Sequence, residues 1–269
     1  MSKLDIKDGI DNIIYRSYNA ISELIFTFKF STKKILAKND IYLNVHEGEE
    51  CFILGTGPSL NNLKNSEIDA LRNEIIIGVN SLYKSKIGDQ LVPRYYALMD
   101  NLYWESWNYT FNDISSKYIN NPPTFITDIR AKHLIDVLKV KNSAIYLYSK
   151  KYPANRMTDE IDKNIYATMN VVSFSILVAM YMGFKKIYLL GCDFNAFCKA
   201  GKGHCYDDKS EISQSNYNLA FYLKHYLMIT EFHYLIAELA RKKHIEIINL
   251  TDGSLLDAYP MQHLSQVLK

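Results

Sequence analysis

Past Glu50 the chain alternates two textures: short, almost unbroken apolar runs and longer stretches with helical spacing. The runs are Cys51–Leu54, Ile75–Val79, Tyr95–Met99, Thr124–Ile126, Ile145–Tyr148, Ile187–Leu190 and Ile245–Leu250. A strand that is apolar at nearly every position is buried on both faces, as happens when helices cover a parallel sheet above and below. Val171–Phe184 and Gln214–Lys243 are the clearest helices between the later runs. The pattern therefore predicts an α/β fold over residues 46–269, a Rossmann-like, mostly parallel sheet with helices on both faces. The segment Asn195–Gln214 is polar, holds Gly201 and Gly203, and separates a strand from a helix. It is expected to form a lid-like loop.

Residues 1–45 have a different pattern. Ile10, Ile13, Ile14, Tyr18, Ile21 and Ile25 recur at helical spacing, and Lys29, Lys33, Lys34 and Lys38 follow. This predicts an amphipathic N-terminal helix. Its apolar stripe suits three surfaces: the protein's own core, a partner chain (a second copy in a homo-oligomer among them), or an anionic membrane beside the lysines.

Open parallel sheets bind ligands outside the carboxyl ends of their strands, so the residues that follow each run are candidates for a site. GTGPSL, Gly55 to Leu60, follows the first run, and Asn80 follows the second. Asp100 and Asn101 follow the third, and Asp128 lies just beyond the fourth. GCDFN, Gly191 to Asn195, follows Ile187–Leu190, and Thr251, Asp252 and Gly253 follow the last. One polar residue after a strand is an ordinary turn former. Their recurrence along one rim points to a crevice. In GTGPSL, Gly55 and Gly57 permit tight turning, and Pro58 suits the first turn of a helix. The amides of that turn, with Ser59, would attract phosphate. The spacing is neither GxGxxG nor a Walker loop. Asn170 is placed to cap a helix or to meet a ligand. Asp193 is placed to bind a ribose hydroxyl or a metal, or to cap a turn. His204 stands on the polar loop, where an imidazole can act as general base near neutral pH.

Composition narrows the classes. The chain has 269 residues, 48% of them hydrophobic, with a formal net charge of +2. An isoelectric point near 8.1 is too mild for a nucleic-acid partner. No run approaches a membrane span, and MSKLDIKDGI lacks the apolar core of a signal peptide, so a cytoplasmic protein is expected, at most peripheral on a membrane. Its four cysteines, Cys51, Cys192, Cys198 and Cys205, lack a CxxC pair, and no DxD or GxSxG motif occurs. Neither a zinc site nor any other metal site is expected.

FILGTGPSL, IIIGVNSLY, GFKKIYLLGCDF and IEIINLTDGSLL resemble, in that order, the bacterial sialyltransferases of glycosyltransferase family 42. They resemble more closely the related MptE-like domain proteins of surface-polysaccharide and flagellin glycosylation. The resemblance runs from about Cys51 to Tyr259. It implies a nucleotide-binding domain with a closing lid and metal-independent, inverting transfer of a sialic-acid-like sugar. The donor would be CMP-linked, the acceptor a hydroxyl of a glycan or lipid-linked glycan, with no further cofactor. Gly55, Thr56, Gly57 and Ser59 would lie by the CMP phosphate and ribose, Thr56 replacing an asparagine common there. Asn80 would contact the cytidine part. Asp100 stands where the sialyltransferases have another asparagine. Tyr206 lies near a lid tyrosine that helps the phosphate depart, and Asn195 replaces that tyrosine's partner. Two departures bear on the chemistry. Asn170-Val171-Val172 replaces a Thr-Ser-Gly, and the position of the histidine base falls on Leu227, with His225 two residues away and His204 further. His204, His225 and Tyr206 are therefore the catalytic candidates.

The same resemblance implies a second reading, because some MptE-like proteins are ATP- and magnesium-dependent pyrophosphokinases acting on a pterin. Asp100, Asp193 and Asp207 would then be the important group. A third reading is a non-catalytic nucleotide-binding subunit docked through residues 1–45.

Overall fold

The computed structural model describes residues 3–140, 142–152, 156–198, 203–207 and 218–268, without the side chains of residues 3–8. Among them eight strands form one sheet in the order β6-β5-β4-β3-β2-β1-β7-β8. They are β1 (Glu50–Leu54), β2 (Ile76–Val79), β3 (Tyr95–Leu98), β4 (Thr124–Asp128), β5 (Ala144–Lys151), β6 (Asn164–Tyr166), β7 (Lys186–Leu190) and β8 (Glu246–Asn249). Every neighbouring pair is parallel. The chain walks outward from β1 to β6, then returns to the other flank of β1 with β7. The switch point of the sheet therefore lies between β1 and β7.

Each strand sends successive side chains to opposite faces, and both faces are dry. In β1, Cys51 and Ile53 pack on one side with Ile187 and Leu189 of β7. Phe52 and Leu54 pack on the other with Tyr188 and Leu190. Helix α7 (Val171–Tyr181) covers the first face over β1, β2 and β3, and α8 (Leu219–Lys242) packs on α7. Val172 to Tyr181 are all buried, as a helix apolar all round must be. The second face carries the shorter helices α3 (Asn65–Leu71), α4 (Lys86–Gln90), α5 (Thr110–Lys117) and α6 (Lys132–Asp136).

The expected strands are all present. β6 was not expected: it has three residues, and its apolar content is Ile165 between Asn164 and Tyr166, too little to stand out. β4 continues past Ile126 through Asp128, so Asp128 is inside the sheet rather than beyond it. It is 1% exposed and bound to Arg130 Nε at 2.8 Å.

The N-terminal residues form α1 (Lys3–Thr27) and α2 (Phe30–Leu36). Helix α1 does not turn its isoleucine stripe to the core. It docks on the end of β5 through a different side. Asn19 Nδ2 donates to Tyr152 O, and Asn19 Oδ1 accepts the Tyr152 amide, each at 2.7 Å. Ser22 Oγ donates to Lys150 O at 3.0 Å, Tyr15 stacks on Tyr152, and Phe26 stacks on Tyr148. The stripe stays outward, with Ile13 67% exposed. Past α1 the chain joins the main fold: Leu36, Asn39 and His46 are buried, and Asn39 bonds both the amide and the carbonyl of Tyr146. Among the described residues no helix is long and apolar enough to cross a membrane.

Candidate functional site

A cavity of about 210 Å³ opens at the carboxyl ends of β1, β2 and β7. It lies at the switch point, where open α/β sheets bind ligands. Eight of the twelve candidate residues line it: Gly55, Thr56, Gly57, Asn80, Asn170, Asp193, Asn195 and His204.

Its rim is built by two loops pressed together. The loop after β1 enters a short 3-10 turn, Pro58–Asn62, and the loop after β7 carries Asp193. Asp193 is 8% exposed and reaches across to that turn. Its Oδ1 accepts the Ser59 amide at 3.2 Å, and its Oδ2 accepts the Ser59 hydroxyl at 2.6 Å. Ser59 thus turns to a carboxylate of its own chain, not into the cavity. The amides of Gly55 and Gly57 are committed as well, to Leu190 O and Gly191 O at 2.8 Å each. The anion-attracting end of this turn already holds an anion.

The contact explains one glycine. Gly57 has an ordinary φ of −65°, so conformational freedom is not the reason for it. A Cβ at Gly57 would lie 1.8 Å from Asp193 Oδ2. On the facing loop Gly191 has φ +70° and lies against Leu60 of the turn.

Asn80 ends β2 with φ +48°, a region an asparagine tolerates better than most residues. The Tyr96 hydroxyl holds it there by donating to Asn80 O at 3.0 Å. Its Oδ1 is buried in the crevice wall and meets no donor among the described residues. Asn170 is the N-cap of α7: Oδ1 accepts the amides of Val172 at 2.9 Å and Ser173 at 3.1 Å. Capping and cavity lining thus coincide in one residue.

The described part of the expected lid is tied to the loop after β1. The Cys205 amide donates to Thr56 O at 2.8 Å. His204 lines the cavity and stacks on Tyr206, ring centroids 5.0 Å apart. Tyr206 is itself buried in the core on the face of α3 to α6 and is absent from the cavity lining. Residues 199–202 and 208–217, Gly201 and Gln214 among them, lie outside the described residues.

Asp100 and His225 are also outside the cavity lining. Asp100 is exposed and caps the turn Asn101–Tyr103 by accepting the Leu102 amide at 2.9 Å. His225 is half-buried on α8 and stacks on Phe221. Burial lowers its pKa, and the charge of nearby Asp100 opposes that shift. Leu227, where the base position was counted, is exposed.

Two lining residues were not anticipated. Tyr226 and His233 stand seven residues apart on α8, hence on one face of it, and both line the cavity. That i, i+7 spacing was the available signal. His233 is 1% exposed, with Nε2 3.2 Å from Ser173 Oγ and Nδ1 2.9 Å from the Tyr259 hydroxyl. Burial pushes its pKa down to about 3, so it is a neutral hydrogen-bonding group at neutral pH.

The described lining contains no lysine or arginine, and Asp193 is its one carboxylate. No cluster of three or more His, Cys, Asp or Glu able to hold a metal occurs among the described residues. Cys51, Cys192 and Cys205 are buried, and burial raises each thiol, Cys192 to about 12 and Cys205 to about 11.

Two predictions follow from this geometry. Gly57→Ala should lower unfolding stability by about 3 kcal/mol, the upper range for overpacking. The same change in an Asp193→Ala background should cost less, a coupling that a double-mutant cycle by urea unfolding measures; the remaining cost comes from Gly191 O, 2.7 Å from the added Cβ. Second, the unfolded chain protonates His233 near pH 6.5 while the folded one does so only near pH 3. Protons are therefore bound preferentially by the unfolded state, and stability falls as pH drops through that window. His233→Gln should flatten this dependence in thermal melts taken between pH 7 and pH 4 (approximate limits drawn from the same linkage).

Comparisons with known proteins fit this architecture. Residues 22–198 match the family model described as 6-hydroxymethylpterin diphosphokinase MptE-like. Comparison with curated proteins gives no match. Among solved structures, the MAf glycosyltransferase from Magnetospirillum magneticum AMB-1 aligns with a TM-score of 0.51 and 14% identity, over 87% of this chain and 38% of that one. At that identity the likeness speaks for the Rossmann-like α/β fold alone, and this chain spans well under half of that protein. The family match covers more than half of the chain and runs from within α1 through β7 to the loop that carries Asp193. The chain belongs to the MptE-like family.

Proposed function

We propose that this protein is a glycosyltransferase that moves a sialic-acid-like sugar from a CMP-linked donor to a hydroxyl of a glycan or lipid-linked glycan, with inversion and without a metal. The observation that carries the reading is the crevice at the switch point of the sheet, with the unpartnered Asn80 Oδ1 in its wall. A buried acceptor without a donor is costly, and an amino group on a bound base, such as that of cytosine, would satisfy it. A glycosyltransferase among the solved structures of like fold and the sequence blocks shared with sialyltransferases support the same reading.

The chemistry follows from the lining. The donor phosphate is the leaving group, and charge develops on it in the transition state. The amides of Gly55, Gly57 and Ser59 are already donated within the protein, so stabilisation falls to side chains such as Asn195. His204 is the candidate base for the acceptor hydroxyl. His233 is too weak a base for that role and is assigned to holding the cavity floor. Tyr206, the candidate for helping the phosphate depart, and His225, the other candidate base, do not line the cavity and are left out of this assignment.

The family's description favours a second reading, pyrophosphoryl transfer to a pterin. Magnesium for such chemistry is held by carboxylates together with substrate phosphates. Asp193 would be its anchor here, and that carboxylate is bonded to Ser59.

Thermal shifts separate the two, because a ligand that binds the folded state raises Tm. CMP is expected to raise Tm equally with magnesium and with EDTA, and Asn80→Ala to abolish most of the shift. A magnesium-dependent shift with ATP, and none with CMP, would reverse the assignment. With a CMP-activated sugar as donor, His204→Ala is expected to lower turnover about 100-fold while leaving Tm unchanged. Full activity in that variant would remove His204 as the base.

A further inference from the structure

Helix α1 inverts the usual arrangement of a surface helix, which turns its apolar stripe inward. Here Asn19 and Ser22 make the polar bonds to β5 and its continuation, and Ile10, Ile13, Ile14, Ile21, Leu24 and Phe28 face outward. Each is at least half exposed, with Leu24 61% and Phe28 68% exposed. Such a stripe on the outside of a folded chain marks a surface that something covers.

Its spacing says what. Ile10, Ile14, Ser17, Ile21, Leu24 and Phe28 alternate intervals of four and three residues, the a/d repeat of a helix that pairs with another helix. Ile14, Ile21 and Phe28 take the a positions, and Ile10, Ser17 and Leu24 the d positions. Leu24 is the one leucine at d, Ser17 is a polar position in the seam, and Phe28 lies just past the end of α1. Tyr18 and Ile25 widen the seam on one side and Ile13 on the other, all three exposed. Tyr15, Asn19, Ser22 and Phe26, which hold α1 to the sheet domain, lie on the opposite side, so pairing does not compete with docking. The outward apolar side chains together supply an area on the order of the ~800 Å² per partner that a stable interface buries. A membrane is the less suited occupant. An interfacial helix is rich in lysine and arginine on its polar side, whereas within α1 Lys3, Lys7 and Arg16 are outnumbered by Asp5, Asp8, Asp11 and Glu23, and Lys29, Lys33, Lys34 and Lys38 lie past its end rather than along the stripe.

We propose that α1 is a self-association seam, through which two copies of this chain pair helix to helix about a two-fold axis. The sheet domains then hang from a shared helical pair, each with its own crevice. In such a symmetric contact the same patch serves both partners.

The test uses the full chain. Sedimentation equilibrium of the wild type at micromolar concentration is expected to give a dimer, and Ile14→Lys with Ile21→Lys a monomer with unchanged Tm. Ser17→Leu fills the polar gap in the seam and is expected to lower the dimer Kd about 100-fold, from the burial of two leucines, one from each copy. A monomeric wild type would overturn the proposal, as would a Ser17→Leu variant with unaltered association. Co-flotation of monomeric wild type with phosphatidylglycerol vesicles would likewise overturn it and assign the stripe to a lipid surface.

Discussion

The contact between Asp193 and Ser59 joins the two loops on either side of the switch point, and much of the site depends on it. β1 and β7 pair along their whole length, from Glu50 with Lys186 to Leu54 with Leu190. Beyond the last rung the Gly55 and Gly57 amides carry the connection on to Leu190 O and Gly191 O. The carboxylate continues the connection by two bonds, and Gly57 packs so closely on it that no larger residue fits. The β7 loop is tied on its other side as well. The Cys192 amide donates to Thr251 Oγ1 at 3.0 Å, and Ser254 Oγ donates to Cys192 O at 2.6 Å. The loops after β1, β7 and β8 are thereby held as one rim beside the cavity.

The rim sets the electrostatic character of the crevice. Oriented amides near a turn usually offer the donors for a phosphate, but here an internal carboxylate occupies them. The described lining carries no cation, and His233 is held neutral by burial. Under the proposed function a nucleotide would meet a site with no described lysine or arginine and one carboxylate, already bonded to Ser59. Asn170 shows the economy of the design: it caps α7 and faces the same cavity. The chain from Ser173 through His233 to Tyr259 links α7, α8 and the C-terminal segment beneath the floor.

The N-terminal helix is the other unusual element. It places Asn19 and Ser22 on β5 and the residue just past it, where Asn19 bonds both backbone groups of Tyr152 as a neighbouring strand would. Protein edges are commonly protected in this way, by covering exposed backbone groups. The consequence is that the apolar side, which carries most of the hydrophobic free energy of the helix, is left for another surface. Function at the crevice and association through α1 are thus assigned to separate parts of the chain.

Much of this was legible in the residue pattern. Runs such as Cys51–Leu54 and Ile187–Leu190 read as strands buried on both faces because they are short, apolar throughout and followed by glycine turns. The carboxyl ends of those strands could be named, and with them Gly55, Thr56, Gly57, Asn80, Asp193 and Asn195, since chain direction in a parallel sheet fixes which loops share a rim. Asn170 was equally readable as a cap. Tertiary structure alone decided the partners. Ser59 and Asp193 are 134 residues apart, and no local rule says that one will take the other's hydrogen bonds. Tyr206 sank into the core and His233 rose to the cavity because long-range packing, not residue type, sets which side of a loop or helix is enclosed. The isoleucine stripe of α1 shows the division most clearly. Periodicity determined that a helix with one apolar side would form. The choice of side for docking was made by the free backbone groups of Tyr152 and the carbonyl of Lys150, which only asparagine and serine could satisfy.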